Sequence, residues 1–361
     1  MCKLIKTSIF ILSLCLFFSG CTKEDEEPKE TIRTVLYYIG GDNNLSGEAL
    51  QKADQLKDVV IPKCGNLLIY LDSKNSNPKL MKVGNGKQTI VREYEDSNSA
   101  NADVFKGVLQ DVIELYPAPS YGLAVFSHAS GWMPNGTYGN AALRSVIIDG
   151  GNEMEIPDFA AAIPNGMFDH IIFEACFMAG VEVAYELKDK TKYIVASSAE
   201  IVSPGFTHVY AKAIPFLFKE EADLTGFCRA IKSDYEQREE DVNSLTLSLI
   251  STREIDGILD ALRGTNVTPD ISSQSFSRYG NSLFFDLCDG YKTLPADKQA
   301  MLQAATEACV IWKSATDHFM LPKHGGFSIQ AHSGLTIYIP QDRYPNLNRS
   351  YSLLEWNKKI N

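Results

Sequence analysis

The chain has 361 residues, of which 45% are hydrophobic and 22% charged, with a formal net charge of −11. That composition describes a soluble globule with a sizeable core, and the length fits one large α/β unit with added elements. So acidic a surface repels polyanions, which argues against a nucleic-acid partner and favours attraction to basic side chains.

Lys3 and Lys6 precede an apolar run from Ile9 to Phe18, followed by Ser19-Gly20-Cys21. A basic start, a short apolar segment and small residues before a cleavage point predict a secretory signal over residues 1–20. With Cys at its end it resembles a bacterial lipoprotein signal, although Phe18 stands where Leu is more usual. Ile9 to Phe18 is too short to span a bilayer, and no later stretch approaches the apolar length of a membrane helix. The mature chain is expected to begin at a lipidated Cys21 and to continue as an acidic tether, residues 21–32. The folded part is expected over 33–361. This predicts an exported lipoprotein, at the outer membrane or surface of a Gram-negative bacterium, touching the membrane only through its lipid. Loss of Lys3 and Lys6 takes the charge to −13, and five thiols remain: Cys64, Cys176, Cys228, Cys288 and Cys309. An odd number at wide spacing suggests neither a disulfide framework nor a zinc site.

In chain order, Thr34 to Gly40 is a β-branched and aromatic run that predicts a strand, ended by Gly40-Gly41. Asp42-Asn43-Asn44 offers helix caps, and a helical pattern follows to about Val60. Leu67 to Asp72 predicts a buried strand, and 79–94 a hairpin around Gly84-Asn85-Gly86. Asp103 to Tyr116 is helical in period. The run Tyr121 to Ser127 predicts a strand, then a long polar loop from Met133 to Asn152 and a helix from about Ile156. Phe168 to Phe173 predicts the next strand, Gly180 to Lys188 a helix, and Tyr193 to Ser197 a strand. Further on come a helix near 221–238, a strand Ser244 to Leu249, a helix near 253–263, a long helix over 297–314 and a strand Leu335 to Ile339. Strands alternating with helices predict βαβ units and a mainly parallel sheet.

Two of these strands end in reactive side chains. Tyr121 to Ser127 runs into His128, and Phe168 to Glu174 runs into Ala175-Cys176. Chemistry in a parallel sheet collects at the carboxyl ends of strands, so a thiol and an imidazole are expected at one edge, as nucleophile and general base. A helix after Cys176 is expected to lower the thiol pKa through its positive end. The backbone N–H groups of Ala129 and Cys176 are candidates for an oxyanion hole. Each residue alone reads equally as core or surface; the pair carries the argument.

The segments Val35 to Leu45, Ser127-His-Ala-Ser-Gly-Trp132, Ile172-Phe-Glu-Ala-Cys-Phe-Met-Ala-Gly180, Glu182 to Leu187, Ala196 to Glu200, Pro204-Gly205-Phe206 and Ser333 to Pro340 together resemble the clostripain family of cysteine peptidases, relatives of caspases and gingipains. The resemblance implies a caspase-like three-layer α/β/α sandwich and a His128/Cys176 dyad. Two positions depart from the family. Ala129 stands where Gly is usual, which matters if that residue needs positive φ. Glu174 stands where the family has an Asp that binds a basic P1 side chain, so Arg/Lys preference is implied with a longer acid. Glu200 is a second candidate wall of that S1 pocket. Arg144 lies where relatives are cut during activation, so self-cleavage at Arg144–Ser145 is expected. Some relatives need calcium; no EF-hand-like loop is visible here, so the residues are silent on calcium, and no other cofactor is expected. The reading is a peptidase acting on proteins or peptides with Arg or Lys. The alternatives are an inactive relative that binds peptides in the same cleft, and a surface lipoprotein with Cys176 in its core.

Overall fold

The apolar, β-branched and aromatic runs build the centre of the molecule, as a computed structural model covering residues 30–134, 146–240, 242–278 and 282–360 shows. β1 (Arg33–Gly41) leads through α1 (Ser46–Leu56) to β2 (Gly65–Ser73), which pairs parallel to it. β2 continues into an antiparallel meander with β3 (Ser76–Gly84) and β4 (Lys87–Glu93), joined at Asn85 and Gly86. Those two residues have φ of 53° and 69°, the left-handed pair of a type I′ hairpin. α2 (Ala102–Leu115) returns the chain to β5 (Tyr121–Phe126) on the other side of β1. The Asn101 side chain caps α2, accepting from the N–H groups of Asp103 and Val104.

A small hairpin, β6 (Ile147–Asp149) and β7 (Asn152–Met154), precedes α3 (Ile156–Ala162). β8 (Phe168–Glu174), α4 (Val181–Glu186) and β9 (Thr191–Ala196) then extend the parallel sheet. α5 (Tyr210–Ala213) and α6 (Leu224–Tyr235) lead to β10 (Thr246–Ser251), antiparallel to β9, and α7 (Ile255–Leu262) follows. The remaining chain comprises β11 (Phe285–Asp286), α8 (Leu287–Gly290), α9 (Ala296–Cys309), β12 (Val310–Ala315), β13 (His318–Phe319), β14 (Phe327–Ser328), β15 (Thr336–Ile337), α10 (Pro345–Tyr351) and α11 (Glu355–Ile360).

The nine-stranded sheet has the order β12-β10-β9-β8-β5-β1-β2-β3-β4, with a parallel centre and antiparallel flanks. Alternation along each strand feeds two cores. Leu36 and Tyr38 pack on one face with residues of α2, α3, α7 and α9. Val35, Tyr37 and Ile39 pack on the other with residues of α1, α5 and α6. This is the three-layer α/β/α sandwich. The chain leaves β1 in one direction and comes back to β5 in the other, so the topological switch point falls between β1 and β5, where loops diverge and leave a crevice.

Three expectations need correction. The helix over 297–314 stops at Cys309, and Val310-Ile311-Trp312 instead starts the edge strand β12, as β-branched and aromatic residues favour. The loop between Met133 and Asn152 is not polar throughout, because Val146, Ile147 and Ile148 are buried. The strand expected over Leu335 to Ile339 pairs with β11 only at Thr336 and Ile337.

Glu182 in α4 is buried, and its Oε1 accepts from the Tyr338 N–H at 2.7 Å, which ties the C-terminal segment to the sandwich. Burial raises its carboxyl from 4.5 to about 7. A raised carboxyl pKa gives stability that is present below pH 4.5 and lost as pH rises through 7. Glu182→Gln is therefore expected to flatten the fall of the urea midpoint between pH 5 and pH 8; an unchanged slope would rule out Glu182 as its source.

Candidate active site

The register of the two central strands sets the site. β5 and β8 pair in parallel up to Phe126 opposite Glu174. His128 and Cys176 each lie two residues beyond that pair, on neighbouring strands whose axes are about 4.8 Å apart. Both line one cavity of ≈ 380 Å³, together with Ala129, Glu174 and Glu200. All five described site residues expected from the sequence thus meet at one place. Arg144, Ser145 and Cys21, the expected cleavage and lipidation positions, lie outside the described residues. A larger cavity of ≈ 730 Å³ opens at the opposite ends of the strands, beside Arg33, Asp169 and His170, and no cysteine lines it.

The turns after β5 and β8 are locked to each other. Phe177, next to the cysteine, has φ of 62°, unusual for an aromatic residue, and its ring stacks on Phe284 at 4.3 Å. Gly131 has φ of 65°, and a Cβ there would stand 2.9 Å from the Phe177 carbonyl oxygen. The small residue needed after the histidine is therefore Gly131, whereas Ala129 is absent from the positive-φ positions and its methyl is buried without strain.

Cys176 is a half-buried residue whose sulfur accepts from the Ile201 N–H at 3.4 Å. Burial, and then the Glu200 carboxylate, push the thiol up to about 12, while the Ile201 N–H and Arg278 pull it down. The expected lowering by a helix is not found. α4 begins only at Val181, and the intervening turn keeps its positive end from the sulfur. In this conformation the thiol is protonated at neutral pH.

His128 is also half-buried, with Nε2 and Asn44 Oδ1 2.7 Å apart. Asn44 comes from the turn after β1, at the switch point. Its neighbour Asn43 closes a turn ahead of α1, accepting from Leu45 N–H at 2.8 Å, and donates to the Ile148 carbonyl at 2.9 Å; it does not cap the helix, whose N-cap residue Leu45 makes no side-chain cap bond. The Asp42-Asn43-Asn44 turn therefore leads into the helix without capping it, unlike the expectation from sequence, and reaches the imidazole through Asn44.

Glu174 sits below the cavity in an ion pair. Lys52 Nζ, fully buried in α1, lies 2.5 Å from Glu174 Oε1 and 3.2 Å from Glu48 Oε1. It also donates to Thr207 Oγ1 at 2.7 Å and the Pro204 carbonyl at 2.9 Å. Glu174 further accepts from the Phe206 N–H at 2.6 Å and from the Tyr210 hydroxyl at 2.5 Å. Gly205 makes room for this, since a Cβ there would stand 2.4 Å from Glu174 Oε1. Glu200, on the loop after β9, pairs with Arg278, whose Nε donates to Oε2 and whose Nη2 donates to Oε1 at 2.9 Å. Both acids marked in the sequence as S1 walls thus carry internal cations. Among the described residues no group of three or more His, Cys, Asp or Glu side chains is arranged for a metal ion.

Asn44, Glu48, Lys52 and Arg278 were not assigned from sequence. Lys52 left a signal, because Ala49, Lys52, Ala53 and Leu56 share the buried face of α1 and a lysine there needs a buried partner. Arg278 left none, since it lies in a loop far along the chain.

A mixed sheet of this order between helical layers, with the cysteine and histidine at its carboxyl edge, defines a caspase-like cysteine peptidase. The sequence profile of the clostripain family matches residues 37–321. An inactive zymogen C11 protease from Parabacteroides distasonis superimposes with a TM-score of 0.82 at 30% identity, covering 92% of this chain and 99% of that one. A secreted C11 cysteine protease from Bacteroides thetaiotaomicron, in complex with an irreversible peptide inhibitor, gives 0.82 at 28% identity, with 92% and 99% covered. No curated protein matches the sequence. The chain belongs to the clostripain family and is a cysteine-type endopeptidase, acting on peptides or proteins.

Removing Lys52 would strand Glu174 without its counter-ion. Lys52→Met is expected to destabilise the fold by about 3–5 kcal/mol, and adding Glu174→Leu to recover a large part of it. Urea unfolding of the two variants checks this, and a Lys52→Met midpoint equal to the wild type's would refute the pair's structural role.

Proposed function

We propose that this chain is an exported, lipid-anchored endopeptidase that cuts after Arg, and after Lys, with Cys176 as nucleophile and His128 as general base. The observation that carries the reading is the equal register of His128 and Cys176 at the ends of paired parallel strands, over a cavity rich in carboxylates. With Nε2 held by Asn44, Nδ1 is the nitrogen assigned here as the base. The proton passes from Sγ to His128 as the sulfur attacks the substrate carbonyl carbon. The oxyanion takes hydrogen bonds from the N–H groups of Ala129 and Cys176. The C–N bond then breaks as His128 returns the proton to the leaving amine, leaving a thioester. Water then gives a proton to His128 and attacks the thioester carbon; the C–S bond breaks, the carboxylic acid product leaves, and His128 returns the proton to the sulfur.

Export is supported by the signal-like residues 1–20 with Cys21 and by the secreted relative from Bacteroides thetaiotaomicron. Among the described residues no helix is long and apolar enough to cross a membrane. The tether and lipid place the enzyme at the outer membrane or cell surface. Arg144 is the only Lys or Arg between Trp132 and Leu187, and a relative is described as an inactive zymogen, so activation is by self-cleavage at Arg144–Ser145. The rival is a silent relative that binds peptides in the same cleft, and the raised thiol pKa speaks for it.

An acyloxymethyl ketone with Arg at P1 is expected to label Cys176 irreversibly and to leave Cys176→Ala untouched. His128→Ala should lower turnover of a P1-Arg substrate by about 10²–10⁴-fold, with Asn44→Ala intermediate. Binding without labelling would establish the silent relative instead. On a denaturing gel, purified wild type should run as two fragments and Cys176→Ala as one; the same cut in both would rule out self-processing.

A further inference from the structure

We propose that Arg278 is a specificity-determining residue: its guanidinium occupies the acidic wall at Glu200 until a basic P1 side chain displaces it. This rests on the basic-P1 reading above and names the event that admits such a residue. The two internal cations of the cavity differ in how they are held. Lys52 has no solvent access and is surrounded by Glu174, Glu48, Thr207 and the Pro204 carbonyl, so it is fixed. Arg278 lies at the cavity lining with its side chain 22% exposed, paired with a Glu200 side chain 23% exposed. Its Nη1 also donates to the His324 carbonyl at 3.2 Å. The pair is bidentate and largely shielded, so the ligand able to break it is one that replaces its charge-assisted bonds in kind, as a second guanidinium does.

The geometry is that of the expected ligand. Arg278 meets Glu200 with Nε and Nη2 on the two carboxylate oxygens, the fork by which a substrate arginine would bind the same acid. Both guanidinium groups cannot use those oxygens at once, and side by side they would repel. Exchange of one for the other also keeps the field at the thiol, where Glu200 raises the pKa and Arg278 lowers it. A neutral P1 side chain has no claim on Glu200 and leaves Arg278 in place.

Calorimetry on the whole chain carrying Cys176→Ala tests this without turnover, using an acetylated peptide amide ending in Arg and its norleucine counterpart. Adding Arg278→Ala or Arg278→Gln should tighten the Arg peptide about tenfold and change the norleucine peptide by less than about twofold. Adding Glu200→Gln should abolish the gain. In the active chain the same substitutions should raise kcat/KM for P1-Arg substrates through KM. Unchanged or weaker binding of the Arg peptide after Arg278→Ala would overturn the proposal, as would a gain that survives Glu200→Gln. Failure of Cys176 to take the ketone is a separate result that removes the catalytic reading, while the calorimetry still decides who holds Glu200.

Discussion

Lys52 and Glu174 meet 2.5 Å apart where neither reaches water, and three pieces of chain converge on them: α1, the end of β8, and the turn from Pro204 to Tyr210. Each ion alone would carry a desolvation penalty of several kcal/mol, so the pair exists only if all three pieces are in place together. Those pieces are also the floor and one side of the cavity that holds His128 and Cys176. The pair thus couples the shape of the cleft to the folding of the sandwich. It also spends the carboxylate on structure, which leaves Glu200 as the acid at the accessible wall.

Above that floor, the parallel register does the positioning. Neighbouring strands deliver the imidazole and the sulfur at equal height, and the left-handed Phe177 turns the chain sharply away after the cysteine. Gly131 lets the histidine turn approach that bend. The cost is a thiol kept neutral by burial and by Glu200.

The electrostatics of the cleft add a selective layer. Glu48, Glu174 and Glu200 face Lys52 and Arg278, so the lining is acidic but mostly compensated. A chain this acidic attracts basic peptides from a distance. At short range the Glu200 carboxylate is already held by Arg278.

What the sequence determined by itself was local and periodic. Continuous apolar, β-branched and aromatic runs gave the strands around β1, β2, β5, β8 and β9, because strands covered on both faces carry apolar side chains at nearly every position. His128 and Cys176 could be singled out because each follows such a run directly. The break at Cys309 was lost because a helix and a following edge strand can share one continuous stretch of good formers, and only pairing with β10 separates them. Partnerships were decided by tertiary structure alone. Glu174 reads the same in sequence whether it faces a substrate or Lys52, 122 positions earlier in the chain. Glu200 likewise gives no sign of Arg278, 78 positions later. A charge is written in the residue, but which opposite charge answers it is set by where the chain returns in space.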